Sequence, residues 1–296
     1  SPVLEIPLVS VDLKSEKTII SIPEKGYYYS KFDNLKDWFL KNNNRYAIQE
    51  FPDWSAYKNS FIMAGITGYT NKNRIKEEII ATLSRDVLKG HPSSYIAFDT
   101  NILRDRFFST TILKDDEFKG KTLSFLLTDI VRDELTFSYK YTDRDIESYV
   151  AHPDLAKKAN IIDNFWNQNK LKDRMQRLGY IEYNKIQNYM NFHICGNPGE
   201  AGGKTDMKII QNYQSFVSAY RQVVLISRDF DFIAIAQGRS GIQPLRAELP
   251  EDIKFEESYT WDRICELIYL WSILYGCIEL KVDDSKIIRF YGLWRG

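Results

Sequence analysis

The sequence predicts an α/β protein built on a parallel sheet, and three observations carry that prediction. Two short continuous apolar runs, Tyr95-Ile96-Ala97-Phe98 and Val223-Val224-Leu225-Ile226, have the habit of strands buried on both faces. Each run gives way abruptly to polar residues, at Asp99-Thr100-Asn101 and at Ser227-Arg228-Asp229. Around them lie stretches whose apolar residues recur at helical spacing. In open α/β sheets ligands collect outside the carboxyl ends of strands, where the strand order reverses, so acids at strand tips are well placed for chemistry. The ordinary alternative stays open, because Asp-Thr-Asn is also good helix-capping material.

Composition bounds the answer. The 296 residues are 44% hydrophobic and 27% charged, which is globular composition with room for two domains. Forty Lys and Arg balance forty Asp and Glu, so no bulk positive charge advertises nucleic acid and any such binding has to come from a local patch. Cys195, Cys265 and Cys277 are far apart without a CxxC pair, which argues against a disulfide framework or zinc ribbon and for free thiols in a reducing cytoplasm. The start of the chain has no secretory pattern, so no signal peptide is expected, and the missing initiator Met suggests a processed or tagged chain.

In chain order, Leu8–Leu13 and Thr18–Ile22 alternate about the polar turn 14–17 and predict a hairpin. A short helix follows over Leu35–Leu40. Tyr46, Phe51, Trp54, Tyr57, Phe61 and Tyr69 are expected to be core more than base-stacking groups. Ile75, Ile79, Ile80, Leu83 and Val87 form one stripe of a helix over Asn73–Gly90 that leads into the Tyr95 strand. After that strand, Thr122–Leu127 reads as a strand or helix start, and Ile130–Leu135 as a helix with Glu134 beside its buried stripe. Such a Glu has a bland alternative, pairing with Arg132 or Lys140. Residues 141–195 predict two or three amphipathic helices without repeat, and His193-x-Cys195 lacks the second pair a metal site needs. The glycine-rich stretch 196–205 ends in Gly203-Lys204-Thr205, but Pro198 stands where a phosphate-binding loop needs glycine, so it reads as a loop delivering Lys204 and Asp206. A helix from Asp206 with Met207, Ile210, Tyr213, Phe216 and Val217 on one face leads to the Val223 strand, and a further helix over 232–236 breaks at Gly238. Tyr259–Gly276 is strongly apolar yet short for a membrane span, and predicts a buried or subunit-interface helix. Ile278–Val282 and Lys286–Tyr291 predict a second hairpin, expected to pair with the first.

Taken together, a strand ending in Asp99-Thr100-Asn101, then Val131-x-x-Glu134-Leu135, then Asp206 at a helix start, then a strand ending in Ser227-x-Asp229 with Asp231 beyond, resembles the PIN-domain family of metal-dependent nucleases. The resemblance covers about residues 94–247. It implies a PIN-like parallel-sheet sandwich at 94–247 with flanking α+β extensions at 1–93 and 248–296, the two extensions packed together. The span between Glu134 and Asp206 is longer than a compact member needs. The resemblance further implies that Asp99, Glu134, Asp206 and Asp229 hold one or two Mg²⁺ or Mn²⁺ ions, with Asp231 as a spare ligand. Asn101 and Ser227 would orient carboxylates or water, and Arg104, Arg106, Lys204 and Arg228 would hold backbone phosphates. An all-oxygen set without His or Cys independently favours these hard cations over zinc.

The implied activity is that of an endoribonuclease acting on single-stranded RNA, with DNA open as a substrate. Two other readings compete. A haloacid-dehalogenase-type phosphatase also begins with an apolar strand ending in Asp, but needs a second Asp where this chain has Asn101. A catalytically inactive PIN-like scaffold would bind RNA and lose acids that this chain retains. No membrane partner is expected, and a homo-oligomer is expected because Tyr259–Gly276 is apolar on more than one face.

Overall fold

The computed structural model describes residues 10–12, 19–41, 52–136, 171–189, 191–196, 205–253, 260–282 and 286–291. Two compact units divide the chain. One comprises Ser1–Thr67, Ser138–Met175 and Ile253–Gly296, and the other Gly68–Phe137 and Gln176–Asp252. These bounds differ from the expected break at residue 94, because the helix before the central strand belongs to the sheet unit. Most of the helices expected over 141–170, and Lys204 with residues 197–203 of the glycine-rich stretch, lie outside the described residues.

The sheet unit carries five strands, all parallel: β3 (Ser93–Phe98), β4 (Phe125–Thr128), β5 (Phe192–Cys195), β6 (Arg221–Ser227) and β7 (Ile242–Arg246), in the order β5-β4-β3-β6-β7. The chain lays down β3, β4 and β5 outward to one side, then returns to place β6 against the opposite side of β3. The order therefore reverses between β3 and β6, the two strands that the sequence ends in polar and acidic residues. Ile96, Ala97, Phe98 and Val223–Ile226 are buried, as continuous apolar strands covered on both faces must be.

Helices of this unit follow from their apolar stripes. Helix α3 (Lys72–Leu83) buries Ile75 and Ile79 and ends well before Gly90, whose positive φ of 87° closes a separate short turn at Val87–Lys89. Helices α4 (Thr100–Arg104) and α5 (Asp129–Thr136) leave the ends of β3 and β4. Helix α6 (Leu171–Gln187) enters this unit from Gln176 onward, α7 (Thr205–Phe216) precedes β6, and α8 (Phe230–Gln237) follows it. Among the described residues, no helix is long and apolar enough to cross a membrane. The coarse result is a central parallel sheet flanked by helices.

The other unit is organised by aromatic packing. Its described elements are the antiparallel pair β1 (Ser10–Asp12) and β2 (Ile19–Ser21), helices α1 (Lys25–Lys41), α2 (Trp54–Met63) and α9 (Trp261–Tyr275), and the antiparallel pair β8 (Cys277–Val282) and β9 (Lys286–Tyr291). The first helix is longer than the Leu35–Leu40 expected. Among the described residues each hairpin forms its own two-stranded sheet, and no pairing between the two is seen. Tyr57 stacks on Tyr28 and on Trp271, and the Trp271 indole N–H donates to Ser60 Oγ at 2.7 Å. Of the aromatics expected to be core, Trp54, Tyr57, Phe61 and Tyr69 are buried, and Tyr46 and Phe51 lie outside the described residues. On α9, Ile264, Leu267, Leu270, Trp271, Ile273 and Leu274 are buried within one chain, while Trp261 and Tyr269 stay exposed.

Candidate active site

Asp99 is the first residue beyond β3, and its backbone N–H continues the ladder by donating to Ile226 O at 3.1 Å. The carboxylate is thereby set at the carboxyl edge of the sheet, between the two strands where the order reverses. It is 4% exposed. Its Oδ2 accepts from Ser227 Oγ at 2.7 Å and from the Asn101 side-chain amide at 3.3 Å. Ser227 is the last residue of β6 and is itself fully buried, so its hydroxyl ties the two strand ends together. The Ser227 oxygen also accepts from the Asp229 N–H at 3.0 Å.

Burial, the largest cause, pushes the Asp99 carboxyl up to about 6. The Ser227 hydrogen bond opposes the rise, and the carboxylates of Glu134 and Asp206 add to it. Three acids delivered by α4's approach, α5 and α7 thus share one electrostatic neighbourhood. Glu134 is half-buried and accepts a hydrogen bond from the Thr100 hydroxyl, a residue next to Asp99 in sequence. Gln176 pins the same turn from α6 by donating to Glu134 O at 2.7 Å. That approach depends on Gly179, where an added Cβ would lie 2.7 Å from Leu135 Cδ2 and 3.2 Å from the Arg104 backbone N.

The remaining predicted residues take different positions. Asp229 is exposed and caps α8, its Oδ1 accepting from Asp231 N at 2.8 Å and from Phe232 N at 3.2 Å. The capping role therefore belongs to Asp229 and not to Asp99, which makes no side-chain cap bond. Asp231 lies exposed in the first turn of α8. Arg104 stays near the acids: burial lowers its guanidinium pKa, while Asp99 and Glu134 hold it up. Its Nε is buried without a hydrogen-bond partner. Arg106 is buried with a positive φ of 60°, and its Nε stands 3.6 Å from Glu182 Oε1. A side chain so committed is not displayed for backbone phosphate, which corrects its expected role.

Arg228 is also engaged. Its Nη1 donates to both oxygens of Asp105, at 3.2 and 3.1 Å, and Tyr69 Oη donates to Asp105 Oδ2 at 2.8 Å. Sequence reading passed over Asp105, Tyr69, Thr100 and Glu182. Asp105 and Glu182 had no visible signal, since a buried acid with partners from distant segments looks like any surface acid. Thr100 did have one, being adjacent to Asp99.

The donor set suits a hard divalent cation in charge and atom type, because Glu134 and Asp206 add their repulsion to burial at the Asp99 carboxylate and a cation relieves it. Among the described residues, no group of three or more His, Cys, Asp or Glu is arranged to hold a metal ion. Compared with known proteins, the chain matches no family model, no curated relative and no solved structure.

Proposed function

We propose that the sheet unit is a divalent-cation-dependent phosphodiesterase, a nuclease of the PIN type that hydrolyses single-stranded RNA to leave a 5′-phosphate and a 3′-hydroxyl. One observation carries the reading. At the strand-order reversal, a buried Asp99 is pushed up to about 6 by burial and by two further acids, an arrangement with no packing benefit that an apolar residue would not supply better.

Asp99, Glu134 and Asp206 would hold Mg²⁺ or Mn²⁺, which when bound lowers the pKa of a water and offsets charge on the phosphate. Ser227 and Asn101 orient Asp99 by donating to its Oδ2, and Thr100 does the same for Glu134. Arg104 has a cation held among the acids and an unused Nε–H, and it takes the role of phosphate contact. Asp229 keeps its cap through Oδ1, which leaves Oδ2 outside those two hydrogen bonds. Burial of Asp99 keeps bulk water from screening its charge.

The test is cleavage of end-labelled single-stranded RNA with Mg²⁺ or Mn²⁺, with chelator, and with Asp99→Asn and Glu134→Gln variants of unchanged circular dichroism. Loss of cleavage in chelator and in both variants is expected. Parental cleavage by Asp99→Asn sinks the assignment. Tight RNA binding with no cleavage under any metal selects a second reading, an RNA-binding scaffold without catalysis. Hydrolysis of a small phosphomonoester with none of RNA would select the phosphatase.

A further inference from the structure

Two aromatic side chains of the sheet unit are strongly exposed among the described residues: Phe230 at 63% and Tyr220 at 81%. A single exposed aromatic is ordinary. Their positions differ, however, in a way the parallel sheet makes meaningful. Tyr220 immediately precedes β6 and so lies at the amino edge. Phe230 follows Asp229 beyond the carboxyl end of the same strand, on the edge that carries Asp99 and Ser227.

Phe230 also has a companion. The Arg246 guanidinium carbon sits over its ring, 5.4 Å from the centroid. Arg246 ends β7 and is the register partner of Ser227, so the cation is fixed one strand away from the serine that holds Asp99. Its backbone is pinned as well, since Asn71 Nδ2 donates to Arg246 O at 2.7 Å. A planar guanidinium on one ring face and open solvent around the rest make a two-layer surface for a third flat group. The adjacent cavity of about 150 Å³ is lined by Arg74 and Arg246 but also by Glu78 and Glu248, so net charge is not what this corner presents.

We infer that Phe230 and Arg246 form a stacking platform for one unpaired nucleobase of a single-stranded nucleic acid whose backbone runs past Asp99. This rests on the nuclease reading for the direction of the strand, and on the platform geometry for the base. Stacking on an aromatic or a guanidinium tolerates any base and is denied to bases inside a duplex. The platform therefore selects single strands without selecting sequence. RNA and DNA share the π-face, and the 2′-hydroxyl is read elsewhere if at all.

The experiment is fluorescence anisotropy of the full chain with short single-stranded RNA and DNA oligonucleotides, the matching duplexes, and oligonucleotides carrying one abasic position scanned along the strand. Metal is replaced by chelator so that binding is read without cleavage. Parent protein is expected to prefer single strand to duplex, and Phe230→Ala to weaken single-strand binding roughly tenfold. Phe230→Trp should restore it, Phe230→Leu should not, and Tyr220→Ala should leave it unchanged. One abasic position should cost the parent about as much as Phe230→Ala costs on the intact strand, and the two losses should not add. Equal affinity of parent and Phe230→Ala, full rescue by Leu, or no binding by the parent overturns the platform. Cleavage measured in parallel separates the two readings: a platform without cleavage removes the nuclease, and cleavage lost in Asp99→Asn with Phe230→Ala binding normally removes only the platform.

Discussion

Asp99 and Asp105 lie six residues apart, both almost fully buried, and they show how differently one unit can treat the same side chain. Burial raises both carboxyls above the ordinary range. Around Asp105 the neighbours oppose that rise, with Arg228 paired to both oxygens and Tyr69 donating a third bond. Around Asp99 the neighbouring acids Glu134 and Asp206 add to it. A compensated buried charge ties segments together, whereas one surrounded by like charges is kept for what it can bind. Burial alone does not separate structure from function; the sign of the neighbours does.

The comparison can be broken most forcefully at Asp105. Asp105→Ala strands the Arg228 cation and the Tyr69 hydroxyl, and is expected to cost about 3–5 kcal/mol in denaturant unfolding. Asp99→Asn should move the other way. A folded-state pKa of about 6 against an ordinary value of 3.8 means that the folded protein binds the proton more tightly, so stability falls as pH rises between those values. Removing the charge abolishes that fall. The variant should match the parent near pH 4 and exceed it by up to about 3 kcal/mol above pH 6, while cleavage is lost. A parent less stable in mild acid than at neutrality for this reason would contradict the sign.

Cation binding sharpens the same contrast. Mn²⁺ at a hundredfold excess over its Kd should stabilise the parent by about 2.7 kcal/mol. The effect should be larger near neutrality than in mild acid, because protonated Asp99 competes. It should vanish in the Asp99→Asn, Asp206→Asn double variant at matched ionic strength and persist in a folded Asp105→Asn protein. Equal melting shifts in parent and double variant mean the ion binds elsewhere. The smallest effect is expected at Asp229, where loss of the α8 cap in Asp229→Ala costs about 1 kcal/mol and Asp229→Asn, which still caps, costs a few tenths. Activity lost in Asp229→Asn at parental stability would assign Asp229 to the site, and activity kept would leave it a cap.

Strand and helix existence was legible wherever one period ran uninterrupted. The runs at Tyr95 and Val223 became adjacent central strands, and the α9 stripe became a buried helix. The Asn73–Gly90 helix was read too long because Val87 continues the stripe numerically, although the helix ends at Leu83 and Val87 is 55% exposed. Among the described residues the two hairpins form separate sheets, because alternation marks a strand without naming its partner. Asp99 and Asp206 were recognisable as acids at element ends, and Glu134 as an acid beside a buried helical stripe. Arg106 and Arg228 pair with Glu182 and Asp105, partners the sequence did not name, because nearness in sequence to an acid says nothing about which acid a long side chain reaches.

What the sequence determined by itself was local: where continuous apolar runs end in polar residues, which helices have one greasy face, and which residue types stand at the tips. Those follow from hydrophobic periodicity and backbone chemistry, which act over a few residues. Only the tertiary structure decided that β3 and β6 are neighbours at a reversal of strand order, that Ser227 joins Asn101 in donating to Asp99, and that Asp105 is paired with a cation while acids add to the rise at Asp99. Charge interactions and hydrogen bonds depend on distance in space, and folding brings together residues more than a hundred positions apart, so the choice between a structural acid and a functional one is made after the chain has closed on itself.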